Sequence, residues 1–184
     1  MSPLFLRRAV ETLSLGGVLA YPTEAVWGVG CDPWNPDAFV RLLRLKQRPP
    51  EKGVILVAAT MEQIAPLLLH VTPEQREKLN ATWPGPCTWI MPDPENWIPT
   101  WIKGQHDKVA VRVSSHPVVQ ALCHAWYGPL VSTSANPSGA EPARSRLRIQ
   151  QYFGGRVDGI LPGELGKEAK PSRIFDLESG KQLR

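Results

Sequence analysis

The run VILVA, Val54 to Ala58, carries no polar side chain. A half-exposed strand alternates apolar and polar residues. An unbroken apolar run of this length, with prolines and a glycine just before it, reads as a central strand buried on both faces. A strand buried on both faces needs a layer above and a layer below, which in a chain also rich in helix signals means α/β. The flanks agree. Asn35-Pro36 starts a helix in which Phe39, Leu42, Leu43 and Leu45 share an inward face, and Thr60 caps an expected helix running to Leu69.

Working outward, Ser2-Pro3 opens a helix over Leu4, Phe5, Val10 and Leu13 that ends at Gly16-Gly17, and VLAY (18–21) is the first strand. Thr72-Pro73 starts a helix to about residue 81, and WPGP (83–86) is a turn. CTWIM (87–91) and VAVRV (109–113) are strands expected to pair antiparallel. Ser115 caps a helix to about residue 125, LVSTSA (130–135) is a strand, a helix follows near 143–153, and SRIFDL (172–177) is the last strand. Helices and strands alternate without a regular repeat, and no linker divides the chain, so one domain over 1–184 is expected.

Composition narrows the function classes. The 184 residues are 42% hydrophobic and 21% charged, as in ordinary soluble domains. A net charge of +4 and a sequence pI near 9.1 favour anionic partners such as nucleotides or RNA, although a solvated basic surface would give the same numbers. Cys31, Cys87 and Cys123 are odd in number and widely spaced, which argues against a disulfide frame or a metal site and for a cytoplasmic protein, with Cys31 and Cys123 expected to pack as small buried groups. The amphipathic start lacks a signal-peptide pattern, and no run approaches a membrane span.

Four stretches carry polar groups where strands meet loops. KQRPPEKG (46–53) sets Lys46, Arg48 and Lys52 between a helix and the central strand, stiffened by two prolines. Such a cluster suits a polyphosphate, or simply offsets a helix C-terminus. In VAVRV, alternation puts Arg112 on the face of small Ala110, where a guanidinium can take a carboxylate by two parallel bonds or join a structural ion pair. STSANPSG (132–139) brings Ser132, Ser134 and Asn136 to a strand end, where α/β proteins gather ligands, though a plain serine-rich turn reads the same way. YPTEAVWGVGCD (21–32) adds the hydroxyl of Thr23, followed by Gly28 and Gly30 in what reads as a loop whose backbone comes close to a ligand. The Rossmann and P-loop fingerprints are both missing, so a nucleotide would bind by another route.

Together YPTEAVWGVGCD, KQRP, WPGPCT (83–88), VAVRV, STSANPSG and PSRIFDL (171–177) resemble the YrdC/TsaC family of threonylcarbamoyl-AMP synthases, in its short bacterial form. The sequence departs from the usual family pattern at Ala25, Trp27 and Arg173. The resemblance implies a twisted mixed α/β sheet with flanking helices around a basic concave site. It implies a nucleotidyltransferase that makes threonylcarbamoyl-AMP and pyrophosphate from L-threonine, bicarbonate and ATP, with Mg²⁺ carried by ATP and no metal held by the protein itself. Other tRNA threonylcarbamoylation proteins would then move the group to adenosine 37 of tRNA. By motif, Lys46, Arg48 and Lys52 would serve the ATP phosphates, with Lys46 and Arg48 in the catalytic role. Ser132, Ser134 and Asn136 would hold the nucleotide, and Thr23, Arg112 and Ser172 would bind threonine. The competing reading is a non-catalytic binder of structured RNA or a ribosome-assembly factor, using the basic segments 41–52 and 144–156 to track phosphates.

Overall fold

A computed structural model describes residues 2–184. Eight strands form one mixed sheet in the order β7-β1-β2-β6-β3-β5-β4-β8. They are β1 (Leu19–Pro22), β2 (Trp27–Gly30), β3 (Ile55–Ala58), β4 (Cys87–Pro92), β5 (Lys108–Val113), β6 (Leu130–Ser134), β7 (Gly159–Ile160) and β8 (Arg173–Asp176). The helices are α1 (Pro3–Ser14), α2 (Pro36–Lys46), α3 (Pro73–Thr82), α4 (Thr100–Lys103), α5 (Pro117–Trp126) and α6 (Arg146–Phe153). None is long and apolar enough to cross a membrane among the described residues.

The apolar run at 54–58 is central, as its composition requires. β3 pairs parallel with β5 and antiparallel with β6. Its alternate residues feed two cores. Leu56 and Ala58 pack with Phe39 and Leu42 of α2 and Leu79 of α3, whereas Val57 packs with Leu13 of α1 and Val119 and Leu122 of α5. The expected antiparallel pairing of β4 with β5 is present, with Ile90 opposite Ala110.

Local chemistry explains most boundaries. The Asn35 side chain accepts a hydrogen bond from the Ala38 N–H at the start of α2, and Thr72 and Gln75 form a reciprocal cap on α3. Four expectations need correction. The segment after Thr60 is a 3-10 helix over Met61–Leu68, with no cap bond from Thr60 and with Pro66 inside it. Proline has no N–H to donate, so a regular α-helix cannot run through it. The cap of α5 is His116, not Ser115; its side chain accepts from the Val118 N–H, while the Ser115 N–H is spent on the Glu24 carboxylate. The helix expected near 143–153 begins only at Arg146, where the Ser145 side chain accepts the Arg148 N–H.

The fourth correction matters most for the site. WGVG is a strand, not a loop: β2 pairs antiparallel with both β1 and β6. A Cβ on Gly30 would lie 2.0 Å from the Val131 carbonyl oxygen and 2.5 Å from the Tyr21 hydroxyl. Gly30 is therefore needed for packing against β6 rather than for approach to a ligand. Gly28, two residues earlier, does line a cavity.

Candidate active site

On the face of the sheet that α1 and α5 cover at one end, a cavity of about 440 Å³ lies open at the other. Its floor is a row of side chains set in register across neighbouring strands. Ile90 stands opposite Ala110, Ala110 opposite Ile55, and Ile55 opposite Ser132. Small and apolar residues keep this floor low, and Arg112 rises from it two residues along β5 from Ala110, as strand alternation requires.

Seven of the nine expected site residues that resemblance named line this cavity: Thr23, Arg48, Lys52, Arg112, Ser132, Ser134 and Ser172. They arrive from five separate regions of the chain. Thr23 is held at the end of β1 by a 2.7 Å bond from its hydroxyl to the Val26 carbonyl. The Ser172 hydroxyl meets that of Thr88 at 2.9 Å, at the start of β8. Arg48 folds its guanidinium back onto the Gly53 carbonyl, at 2.9 and 3.2 Å, which closes the cationic loop on itself and fixes its shape. Lys52 is exposed at the cavity edge.

Lys46 and Asn136 lie behind the wall rather than in the cavity. The Lys46 ammonium is buried, and it donates to the Ser134 carbonyl and, at 2.8 Å, to the Asn136 carbonyl. The Ser138 N–H returns a 2.7 Å bond to the Lys46 carbonyl. Burial, with a smaller contribution from the Arg48 cation, pushes the Lys46 pKa down to about 8. The Asn136 side chain donates to the carbonyls of Pro137 and Ala140, at 3.0 and 2.7 Å. These two residues thus shape the loop after β6, and α2 anchors that loop through its last residue.

The sequence reading missed several lining residues. Lys170 and Arg184 add positive charge, so with Arg48, Lys52 and Arg112 the cations outnumber the two lining carboxylates, Glu24 and Asp107. Lys103 and Lys108 also line the cavity but are neutralised, the first by Asp93 and the second by Asp176 and Glu178. Arg184 donates to the Ser172 carbonyl at 3.0 and 3.3 Å and so braces that end of the site. Glu24 could have been noticed. It is the one acid between Tyr21 and Cys31, within a stretch already singled out. It accepts from the Ser114 hydroxyl at 2.7 Å and the Ser115 N–H at 3.2 Å, and approaches Arg112 at 3.5 Å.

A concave, basic, hydroxyl-rich site at strand ends can hold a nucleotide's phosphates together with a small acid. The Sua5/YciO/YrdC family model, described as telomere recombination, matches residues 11–184. The chain belongs to this family. It is 54% identical over 185 residues to a threonylcarbamoyl-AMP synthase of Marinobacter nauticus, covering all of this chain and 97% of that one. It is also 54% identical over 176 residues to a threonylcarbamoyl-AMP synthase of Pseudomonas aeruginosa, covering 96% of this chain and 94% of that one. Among solved structures, P. abyssi Sua5 in complex with L-threonine superposes with a TM-score of 0.87 at 29% identity, covering 94% of this chain. This family member spans only 51% of that Sua5 chain. E. coli YciO superposes with a TM-score of 0.82 at 28% identity, over 95% of this chain and 84% of that one.

Proposed function

We infer that this protein is an L-threonylcarbamoyl-AMP synthase, converting L-threonine, bicarbonate and ATP to threonylcarbamoyl-AMP and pyrophosphate for tRNA modification. The observation that carries the reading is the cavity's pairing of chemistries: a guanidinium on an apolar floor beside hydroxyls, facing a rim of phosphate-suited cations. Its support is the full-length likeness to relatives bearing that name. A non-catalytic RNA binder has no use for an arginine sunk in an apolar floor.

In this reading Arg112 takes the threonine carboxylate, with Thr23 and Ser172 beside it. Arg48 and Lys52 take the ATP phosphates, and Ser132 and Ser134 hold the nucleotide. Lys46 and Asn136 act one layer back, by fixing the loop from Ser134 to Ala140. The threonine amine combines with bicarbonate to give a carbamate and water. A carbamate oxygen then attacks the α-phosphorus, and pyrophosphate leaves with the electron pair of the broken P–O bond. The nucleophile is already an anion, so this step needs no base. The chain's contribution is position and fixed positive charge where charge builds up.

Mg²⁺ would be expected on the ATP phosphates. Among the described residues no group of three or more His, Cys, Asp or Glu is arranged to hold a metal ion, so the donor set suits an ion whose ligands come mainly from phosphate and water. Bound there, it would neutralise phosphate charge. A cytoplasmic location and contact with tRNA and the other threonylcarbamoylation proteins belong to the same reading; the three cysteines are buried free thiols.

The test is pyrophosphate release by the purified chain. Release should require both threonine and bicarbonate. Equal release without threonine would identify an ATP hydrolase and overturn the reading.

A further inference from the structure

Between β7 and β8 the chain runs along the edge of the cavity as a strap, residues 162–171, with no helix or strand in it. Leu165 is half-buried against the main core, and every residue from Gly166 to Pro171 is exposed. A segment that buries so little apolar area is held by its hydrogen bonds. The Gly166 N–H donates to the Thr23 carbonyl at 3.0 Å, and the Glu168 N–H to the Glu24 carbonyl at 3.1 Å. Arg144 donates to the Ala169 carbonyl at 2.6 Å. A Cβ on Gly166 would lie 2.7 Å from the Glu24 carbonyl oxygen, so the strap sits directly on the backbone that follows β1. Thr23 and Glu24 are buried beneath it, and Lys170 and Pro171 line the cavity and lead into Ser172.

The remaining anchor is a buried side chain, His116. Its Nδ1 accepts the Val118 N–H at 3.3 Å as the cap of α5, so the ring proton sits on Nε2, which donates to the Glu164 carbonyl at 3.0 Å. Capping alone explains only the first of these bonds, since a single acceptor atom is enough for a cap. Ser114 and Ser115, just before it, bond the Glu24 carboxylate. The turn after β5 thus grips both the strap and the residue under the strap.

We propose that His116 is a positioning residue for the cavity end at Thr23 and Ser172, acting by holding the strap down through the Glu164 carbonyl. It does not line the cavity itself. Releasing that bond would loosen the strap over Thr23 and the leg that carries Lys170 into Ser172. The cationic rim at Arg48 and Lys52 has no hydrogen bond to the strap among the described residues and would keep its shape. The proposal rests on the threonine-using reading, which puts the amino acid at Thr23 and Ser172.

The experiment separates the two bonds of the ring in the full chain. His116→Asn keeps an acceptor for the Val118 N–H but is too short to reach Glu164. Hydrogen exchange across 162–171 should quicken about tenfold or more while that of α5 holds, and the threonine KM should rise roughly tenfold with the ATP KM within about twofold. His116→Gln extends an amide donor toward Glu164 and gives up the cap, and it should return the threonine KM to within about threefold of wild type. If His116→Asn does not fold, Gly166→Ala decides, because its methyl group pushes the strap off Glu24 and should raise the threonine KM alone. Unchanged exchange in the strap, a freed strap with the threonine KM unmoved, or an equal rise in both KM values overturns this proposal. A wild-type protein without threonine-dependent pyrophosphate release overturns the functional reading beneath it.

Discussion

Two buried ion pairs in this molecule are built to different degrees of completeness. In the Asp93–Lys103 pair the side chains are 1% and 4% exposed and 3.0 Å apart. Asp93 also accepts the N–H groups of Trp97 and Ile98, and Lys103 donates to Asn96 as well. The pair ties α4 to the loop after β4, and both charges are bonded on every side that matters. The Glu24–Arg112 pair is nearly as buried, yet it is longer and leaves an atom unpartnered on each side. Charges that are fully bonded at rest have nothing left to offer a ligand. Arg112, which lines the cavity and leaves its guanidinium short of partners, does have something to offer. Completeness of bonding, more than burial or charge, is what distinguishes the two pairs here.

The sharpest way to break that contrast is to cut the complete pair. Asp93→Ala would leave the Lys103 ammonium buried without its counter-charge and free two backbone N–H groups. A loss of about 3–5 kcal/mol in folding stability is expected, read from urea titration. A loss under about 1 kcal/mol would mean that the pair does not hold the fold and that the contrast is misplaced.

Lys46 is a buried charge outside both pairs, and its bonds go to carbonyls instead of a carboxylate. Its folded pKa of about 8 lies below the ordinary lysine value of 10.5. Below pH 8 both states hold the proton, and the cost of burying the charge is fully felt. Between pH 8 and 10.5 the unfolded chain holds more protons than the folded one, so stability should rise with pH across that window. Relative to Lys46→Met, which carries no charge at any pH, the wild type should gain on the order of 2 kcal/mol between those limits. A pH-independent difference between the two proteins would show that burial exacts no such cost from Lys46.

How far the sequence could lead is visible in the same residues. The run at 54–58 and the proline-capped helices made the α/β sheet legible, because burial on two faces and helix starts leave local marks. Arg112 was legible for the same reason: one charge in an apolar strand, beside Ala110, has its face set by alternation. β2 was misread because two glycines look alike in sequence, whereas Gly28 faces the cavity and Gly30 makes room for β6. Lys46 and Arg48 also looked alike. Which of two cations near a helix end turns inward depends on packing against the loop after β6, 88 residues away. The bond between Glu24 and Ser114 spans 90 residues, so no local pattern announces it.

The smallest stability effect should come from the incomplete pair, together with the clearest effect on binding. Arg112→Lys keeps the charge but replaces a planar fork with a single ammonium, which cannot form two parallel bonds to a carboxylate. Its existing contact to Glu24 is long, so little bonding is lost in the free protein. Folding stability should change by less than about 1 kcal/mol, the range for substitutions that break no complete network. Threonine affinity should nevertheless fall roughly tenfold, about 1.4 kcal/mol, while ATP affinity holds, because the cationic rim at Arg48 and Lys52 is untouched. Calorimetry with each ligand and a urea titration on the same preparation separate the outcomes. A large stability loss with both affinities reduced would place Arg112 beside Lys103 as a structural cation. Unchanged threonine affinity in a folded variant would remove it from the site.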